Sequence, residues 1–287
     1  MYQPDHMAPD AMAKKPTVER DTPSSAVING QQSPGMLAAV TAADMAVRKV
    51  ASSSSGIVNI AMVATYNTST SSGQLGYYVS RMAEQGYMGI AMCNSPEFVS
   101  AAPGGKGVFG TNPIAVGVPM PDGKPPFMFD MATSAIALFG VLSSKANGAP
   151  LPEGVAYAPD GSGTTDAATA LEGGAIATFG GHKGAGLSLV VELLAGGMTG
   201  GAVLGQVESK KTAKNWGHLF IAIKPDALVD DFPSKAESII EAVKQSGTGI
   251  RIPGERSNLT ALERKEAGVL PIPTKIWESI LETASRK

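Results

Sequence analysis

The chain has 287 residues, of which 43% are apolar and 17% charged, and a net charge of −2. That suits one large or two modest globular domains and excludes a disordered chain, while the near-neutral balance gives nucleic acid and anionic membranes no electrostatic reason to bind. The only cysteine, Cys93, excludes an internal disulfide and a cysteine-based zinc site, and points to a reducing, cytoplasmic setting.

Residues 1–35 hold five prolines and little apolar periodicity, so they read as an extended or disordered arm. The acidic residues there (Asp5, Asp10, Glu19, Asp21) fit neither a secretory signal nor a transit peptide. Met36, Val40, Ala43, Val47 and Val50 recur at helical spacing. Ile57–Ala64 is an apolar run expected as a buried strand, and Gly73–Gln85 as a helix. Tyr87–Cys93 is the next strand, making a βαβ crossover in which Cys93 is a buried strand thiol rather than a nucleophile.

Gly104–Ser134 draws the eye because it gathers Gly, Thr, Asn, Pro, Asp and Ser into two turns, each beside an apolar run. Such turns can aim backbone N–H groups at a phosphate or ribose; they can equally be plain hairpin turns. Gly105, Gly107 and Gly110 match G-x-G-x-x-G, with Asp130 at the spacing of a ribose carboxylate. The dinucleotide fingerprint needs a helix to open at its last glycine. Pro113, Gly117 and Pro119 forbid one, so two strands with turns are expected here and the Rossmann reading fails.

A helix is expected over Ser134–Lys145, a loop over Gly148–Gly163, and a short helix capped by Thr164-Thr165-Asp166. Leu187, Val190, Val191, Leu194 and Met198 make a helix apolar over most of its circumference, which predicts a covered, central position. Glu192 inside it needs a partner. The helix follows Gly180-Gly181-His182-Lys183-Gly184, where a His-Lys pair could bind an anion or where glycines could simply allow tight packing. His218–Lys224 reads as a strand with His218 structural, Ser234–Gln245 as a helix, Gly249–Pro253 as strand-like, and Thr260–Glu266 and Thr274–Ser285 as helices. The longest apolar stretch, Leu187–Ala195, is too short to cross a membrane, and no residue cluster has metal-ligand spacing.

Four blocks in order, GVFGTNPIAVGVP, PPFMFDMATS, GGHKGAGLSLVVELLAGGMTGGA and GHLFIAIKP, resemble the type 2 malate/L-lactate dehydrogenase family. Asn94–Gly105 and Pro253-Gly254-Glu255 add to the likeness. The resemblance implies a non-Rossmann α/β fold, a mixed sheet with flanking helices, and a homodimer. It implies hydride transfer between NAD or NADP and a small 2-oxo or 2-hydroxy acid, or a related imine. Cofactor contacts would then fall on Thr111, Asn112, Asp130, Ala132, Thr133, Ser134, His182, Lys183, Gly254 and Glu255. On this reading residues 1–35 are the arm, 36–248 the cofactor-binding α/β domain, and 249–287 a C-terminal helical segment, whose Ile276, Trp277 and Ile280 should offer apolar surface.

The departures fall in the proton-transfer half. The family's N-terminal helical segment, ending in Asp-Ser-His-Gly, has no counterpart here. Its Ser-Asn-His-Phe-Gly signature is Ser69-Thr70-Ser71-Ser72-Gly73, with Ser71 at the histidine position, and its Arg-Gly-Lys is Leu138-Phe139-Gly140. The catalytic residues are therefore left unknown. A relative that keeps only cofactor or dimer-partner binding, or a truncated product, is the alternative expectation.

Overall fold

The computed structural model describes residues 10–52, 58–204, 215–272 and 274–285. The part of the N-terminal arm that is described is ordered rather than disordered: β1 (Thr17–Asp21) and β2 (Ser25–Asn29) pair antiparallel, and Ala26 and Ile28 are buried. The prolines hid this hairpin. Pro16 precedes β1, Pro23 lies in the turn and Pro34 precedes the first helix, where a missing N–H costs no ladder bond. Helix α1 (Gly35–Ala51) follows, burying a stripe of alanines and valines. Next come β3 (Ile60–Tyr66), α2 (Leu75–Ala83) and β4 (Met88–Cys93).

The glycine-rich stretch forms three strands rather than two. After β5 (Val99–Ser100) come β6 (Gly107–Phe109), β7 (Ile114–Val118) and β8 (Phe127–Met131), and no helix starts at Gly110. Then follow α3 (Leu138–Asn147), β9 (Ala156–Tyr157) inside the expected loop, α4 (Ala167–Leu171) and β10 (Ala175–Ile176). The Asp166 side chain caps α4 by accepting from the Thr169 N–H, as its sequence position suggested. Helix α5 (His182–Val191) starts at the His-Lys pair and continues as a π-helical turn, Glu192–Gly197. The chain ends with β11 (His218–Ile223), α6 (Phe232–Gln245), α7 (Glu255–Ala267) and α8 (Thr274–Ser285). Residues 249–253 form no strand; they are the link from α6 to α7.

Seven strands form a mixed sheet in the order β1-β2-β3-β11-β4-β7-β8, and β6-β5-β10-β9 form a second. Both β3 and β4 run antiparallel to β11, so the β3–α2–β4 crossover is real but spans one intervening strand. Helices α1 and α2 seal one face, burying Val63, Ala91, Phe220 and Ala222 with Val47, Leu75 and Val79. Contact is close enough that a Cβ on Gly117 of β7 would stand 2.2 Å from the Val79 carbonyl oxygen. The opposite face is partly covered: Ala64, Met92 and Leu219 pack under Val191 and Ala195, while Ile60 and Met62 are exposed. The apolar helix expected to be covered is thus covered on one side only, and Leu189, Val190 and Leu193 face outward. A separate core of Val99, Phe109, Val141, Leu151 and Ile176 joins the small sheet to α3 and α4.

Candidate functional site

Three turns meet where the two sheets adjoin. The Thr111-Asn112 turn enters β7, Ala132-Thr133-Ser134 leaves β8, and Gly180-Gly181 leads into α5. Thr133 ties them. Its N–H donates to the Thr111 carbonyl at 2.9 Å, and its own carbonyl accepts from the Phe179 N–H at 3.1 Å. Its hydroxyl lies 3.2 Å and 3.0 Å from the Thr111 and Asn112 carbonyl oxygens and shares a 2.7 Å hydrogen bond with Ser188 of α5. Ser134 bridges to Thr178, whose hydroxyl donates to the Gly181 carbonyl at 3.0 Å.

The start of α5 is open. Gly180 and Gly181 have φ of 55° and 60°, a left-handed geometry that favours glycine, and a Cβ at either would meet nothing within 4 Å. No side chain caps the helix, and His182 and Lys183 are exposed in its first turn. A helix N-terminus, an ammonium group and a backbone free of side-chain cover together fit an anionic group such as a cofactor phosphate.

Asp130, at the end of β8, accepts from the Gly76 N–H in the first turn of α2 at 2.8 Å. Burial pushes its carboxyl above the usual range, against the opposing hydrogen bonds from Gly76 and Gln74. In the Ser69–Gly73 loop that precedes α2, Ser71 accepts from the Gly73 N–H at 3.2 Å. Gly254 packs against β8, with its Cβ position 2.7 Å from the Met128 carbonyl oxygen, and so lies two residues along that strand from Asp130. Glu255 is otherwise engaged: it pairs with Lys244 at 2.7 Å and accepts from the Ile252 N–H at 3.1 Å, and the Lys244 hydrogen bond holds its carboxyl low. The structure therefore gathers Thr111, Asn112, Thr133 and Ser134 with the start of α5. Asp130 and Gly254 lie along β8, and Glu255 faces α6.

Below the turns lies a polar network that only the isolated Glu192 hinted at. Glu192, 5% exposed, accepts from Asn112 Nδ2 at 2.8 Å and from Asn94 Nδ2 at 3.2 Å. Burial raises its carboxyl, the two amides oppose that shift, and the Glu97 charge adds to it. Asn94 and Ser188 were not singled out in the sequence, since both are ordinary residues until the fold brings them to Glu192 and Thr133. His218 is fully buried on the sealed face. Its Nδ1 pairs with the Thr65 hydroxyl at 3.1 Å, its ring stacks on Phe220, and burial pushes its pKa down to about 4. It is a structural histidine. Cys93 is likewise buried, and burial pushes its thiol up, away from reactivity.

Among the described residues no three His, Cys, Asp or Glu side chains gather as a metal site, and no helix is long and apolar enough to cross a membrane. The family profile for malate/L-lactate dehydrogenase matches residues 6–281, and the chain belongs to that family. The L-sulfolactate dehydrogenase of Methanothermobacter thermautotrophicus is 34% identical over 274 residues, which cover 93% of this chain and 77% of that protein. A Δ1-pyrroline-2-carboxylate/Δ1-piperideine-2-carboxylate reductase of Pseudomonas aeruginosa is 38% identical over 211 residues, 71% of this chain and 62% of that one. The solved sulfolactate dehydrogenase of Methanocaldococcus jannaschii superposes with a TM-score of 0.79 at 32% identity, covering 95% of this chain and 78% of the other. The family is one of nicotinamide-dependent dehydrogenases and reductases of small hydroxy and oxo acids.

Proposed function

We propose that this chain is an NAD(P)-dependent oxidoreductase that moves a hydride to or from a small 2-hydroxy or 2-oxo acid. The observation that carries the reading is the convergence of the Thr111-Asn112, Thr133-Ser134 and Gly180–Lys183 turns through Thr133, beside an uncapped helix start. Lys183, His182 and the first turn of α5 would hold a cofactor phosphate or substrate carboxylate. Thr111, Asn112, Ala132, Thr133 and Ser134 would line the dinucleotide, with Asp130 and Gly254 along its β8 side; Glu255 would reach it only by leaving Lys244. Bound nicotinamide supplies the hydride. The proton then comes from His182, Lys183 or a group of a second copy, since a serine at position 71 is a poor general acid near neutral pH.

A homodimer belongs to the same reading. Apolar side chains stand exposed on the open sheet face (Ile60, Met62), on α5 (Leu189, Val190, Leu193) and on α8 (Trp277, Ile280, Leu281). Sedimentation at micromolar concentration should give a dimer; a clean monomer would count against it. One observation, Ser71 in place of a histidine, favours a second reading in which the chain binds cofactor without turning over. Titration of NADH and NADPH followed by nicotinamide fluorescence, then addition of a panel of 2-oxo acids and cyclic imines, separates the cases. Saturable binding of one dinucleotide, with turnover of a panel member, supports the first reading, and binding alone the second. Failure of both dinucleotides to bind overturns the assignment.

A further inference from the structure

A carboxylate with no cation beside it is costly to bury, and a chain that folds around one is held to a particular geometry. Glu192 is such a group. Among the described residues its side-chain partners are two amides, and each has only one way to face it. Asn94 spends its other amide proton on the Ala202 carbonyl at 2.7 Å and accepts from the Gly217 N–H at 2.9 Å, so its side chain is locked. Asn112 gives both protons, one to Glu192 and one to the Ser188 carbonyl at 3.1 Å. Its buried Oδ1 has no hydrogen-bond partner, which is the penalty of that orientation. Asn112 is also one of six non-glycine residues with positive φ among the described residues, at 36°.

We infer that Glu192 is a positioning residue. Locked by Asn94 on one side, its carboxylate fixes the Asn112 amide and holds the left-handed Thr111-Asn112 turn against Thr133 and α5. Glu192 stands where the regular part of α5 ends and the π-helical turn begins, with its carboxylate between the two asparagines. The binding consequence rests on the reading above that this turn lines the dinucleotide; the positioning itself does not.

Glu192→Gln isolates the effect. Glutamine offers one acceptor and one donor where two acceptors are needed. Asn94 is locked, so Asn112 must give way. If its amide flips to accept from the introduced glutamine, its oxygen meets the Ser188 carbonyl and that tie is lost. Asn94→Ser is the comparison, since it breaks the network on the side away from the turns. Both variants should melt earlier than the wild type. By hydrogen exchange on the ligand-free protein, Glu192→Gln should lose protection at the Thr133 amide and through peptides covering 110–134, with β4 and β11 unchanged. Asn94→Ser should instead lose it at the Gly217 amide. At a temperature where both are fully folded, Glu192→Gln should bind NADH or NADPH at least tenfold more weakly, and Asn94→Ser, which loosens Glu192 on one side but leaves its bond to Asn112, should fall between it and the wild type. Equal exchange maps, or equal affinity losses at matched melting temperature, would make Glu192 a general packing group and overturn the inference. If the wild type binds neither dinucleotide, the cofactor reading fails while the exchange maps still decide the positioning.

Discussion

On one face of the seven-stranded sheet, Val63, Ala91 and Phe220 are sealed under α1 and α2; on the other, Ile60 and Met62 stand exposed and α5 covers little more than Ala64, Met92 and Leu219. Both faces are apolar, yet among the described residues only the first is fully covered. The sealed face fixes the fold. The open face carries α5, and with it His182, Lys183 and Glu192, so whatever covers that face also bears on the turns around Thr133.

The largest effect should come from breaking the sealed face. Phe220→Ala removes a fully buried ring that stacks with His218 and meets Tyr78 edge-on, and should cost about 3–5 kcal/mol in chemical denaturation. Met62→Ala on the open face should stay within about 0.5 kcal/mol, as for an ordinary surface change. Similar losses at both sites would show that the faces do not differ.

Acid should separate the faces by sign. Burial holds His218 neutral with a pKa of about 4, against roughly 6.5 unfolded, so the folded state binds fewer protons. Its contribution is complete above about pH 6.5 and lost as the pH falls toward 4, on the order of 3 kcal/mol. Glu192 works in the opposite direction. Burial raises its carboxyl, so its contribution is complete at low pH and lost as pH rises from the ordinary carboxylate value through the raised one. His218→Asn should therefore flatten the fall of melting temperature between pH 6.5 and 4, and Glu192→Gln should remove the opposing slope. An unchanged profile in His218→Asn would place the acid sensitivity elsewhere.

The contrast between the faces also explains what the sequence could show. The strands β3, β4 and β11 were legible because each is dominated by apolar residues, whatever covers it. The β1–β2 hairpin was not, because β1 is a wholly exposed edge strand of Thr17, Val18, Glu19, Arg20 and Asp21 with no apolar face to detect. The outward side of α5 misled for a related reason: Leu189, Val190 and Leu193 signal that something covers them, and a sequence does not say whether that is the same chain. The glycine- and hydroxyl-rich turns were visible as turns. That Thr133 joins three of them, and that Asn94 and Asn112 meet at Glu192, depends on contacts 21 to 98 residues apart in the chain.

Lys183→Ala addresses the open side directly. If the ammonium meets a phosphate or carboxylate, its loss should remove roughly 1.5–3 kcal/mol and weaken NADH or NADPH binding about ten- to a hundredfold. Folding should be nearly untouched, since the side chain is exposed and leaves no cavity. Unchanged affinity with a large fall in melting temperature would make the turn a packing device. The smallest change in stability should come from Ile60→Ser combined with Met62→Ser, which should shift a dimer toward monomer in sedimentation while the melting temperature at low concentration holds. A dimer that survives both substitutions would place the interface off this face.

The central claim is hydride transfer, and isotopic labelling tests it most directly. NADH or NADPH carrying deuterium at the transferable C4 position is incubated with the protein and the 2-oxo acid panel, and the products are read by mass spectrometry. A 2-hydroxy acid with deuterium on C2, formed by the wild type and strongly reduced in Lys183→Ala, is the predicted result. Saturable dinucleotide binding without deuterium in any product would contradict the claim and leave a cofactor-binding relative that performs no transfer.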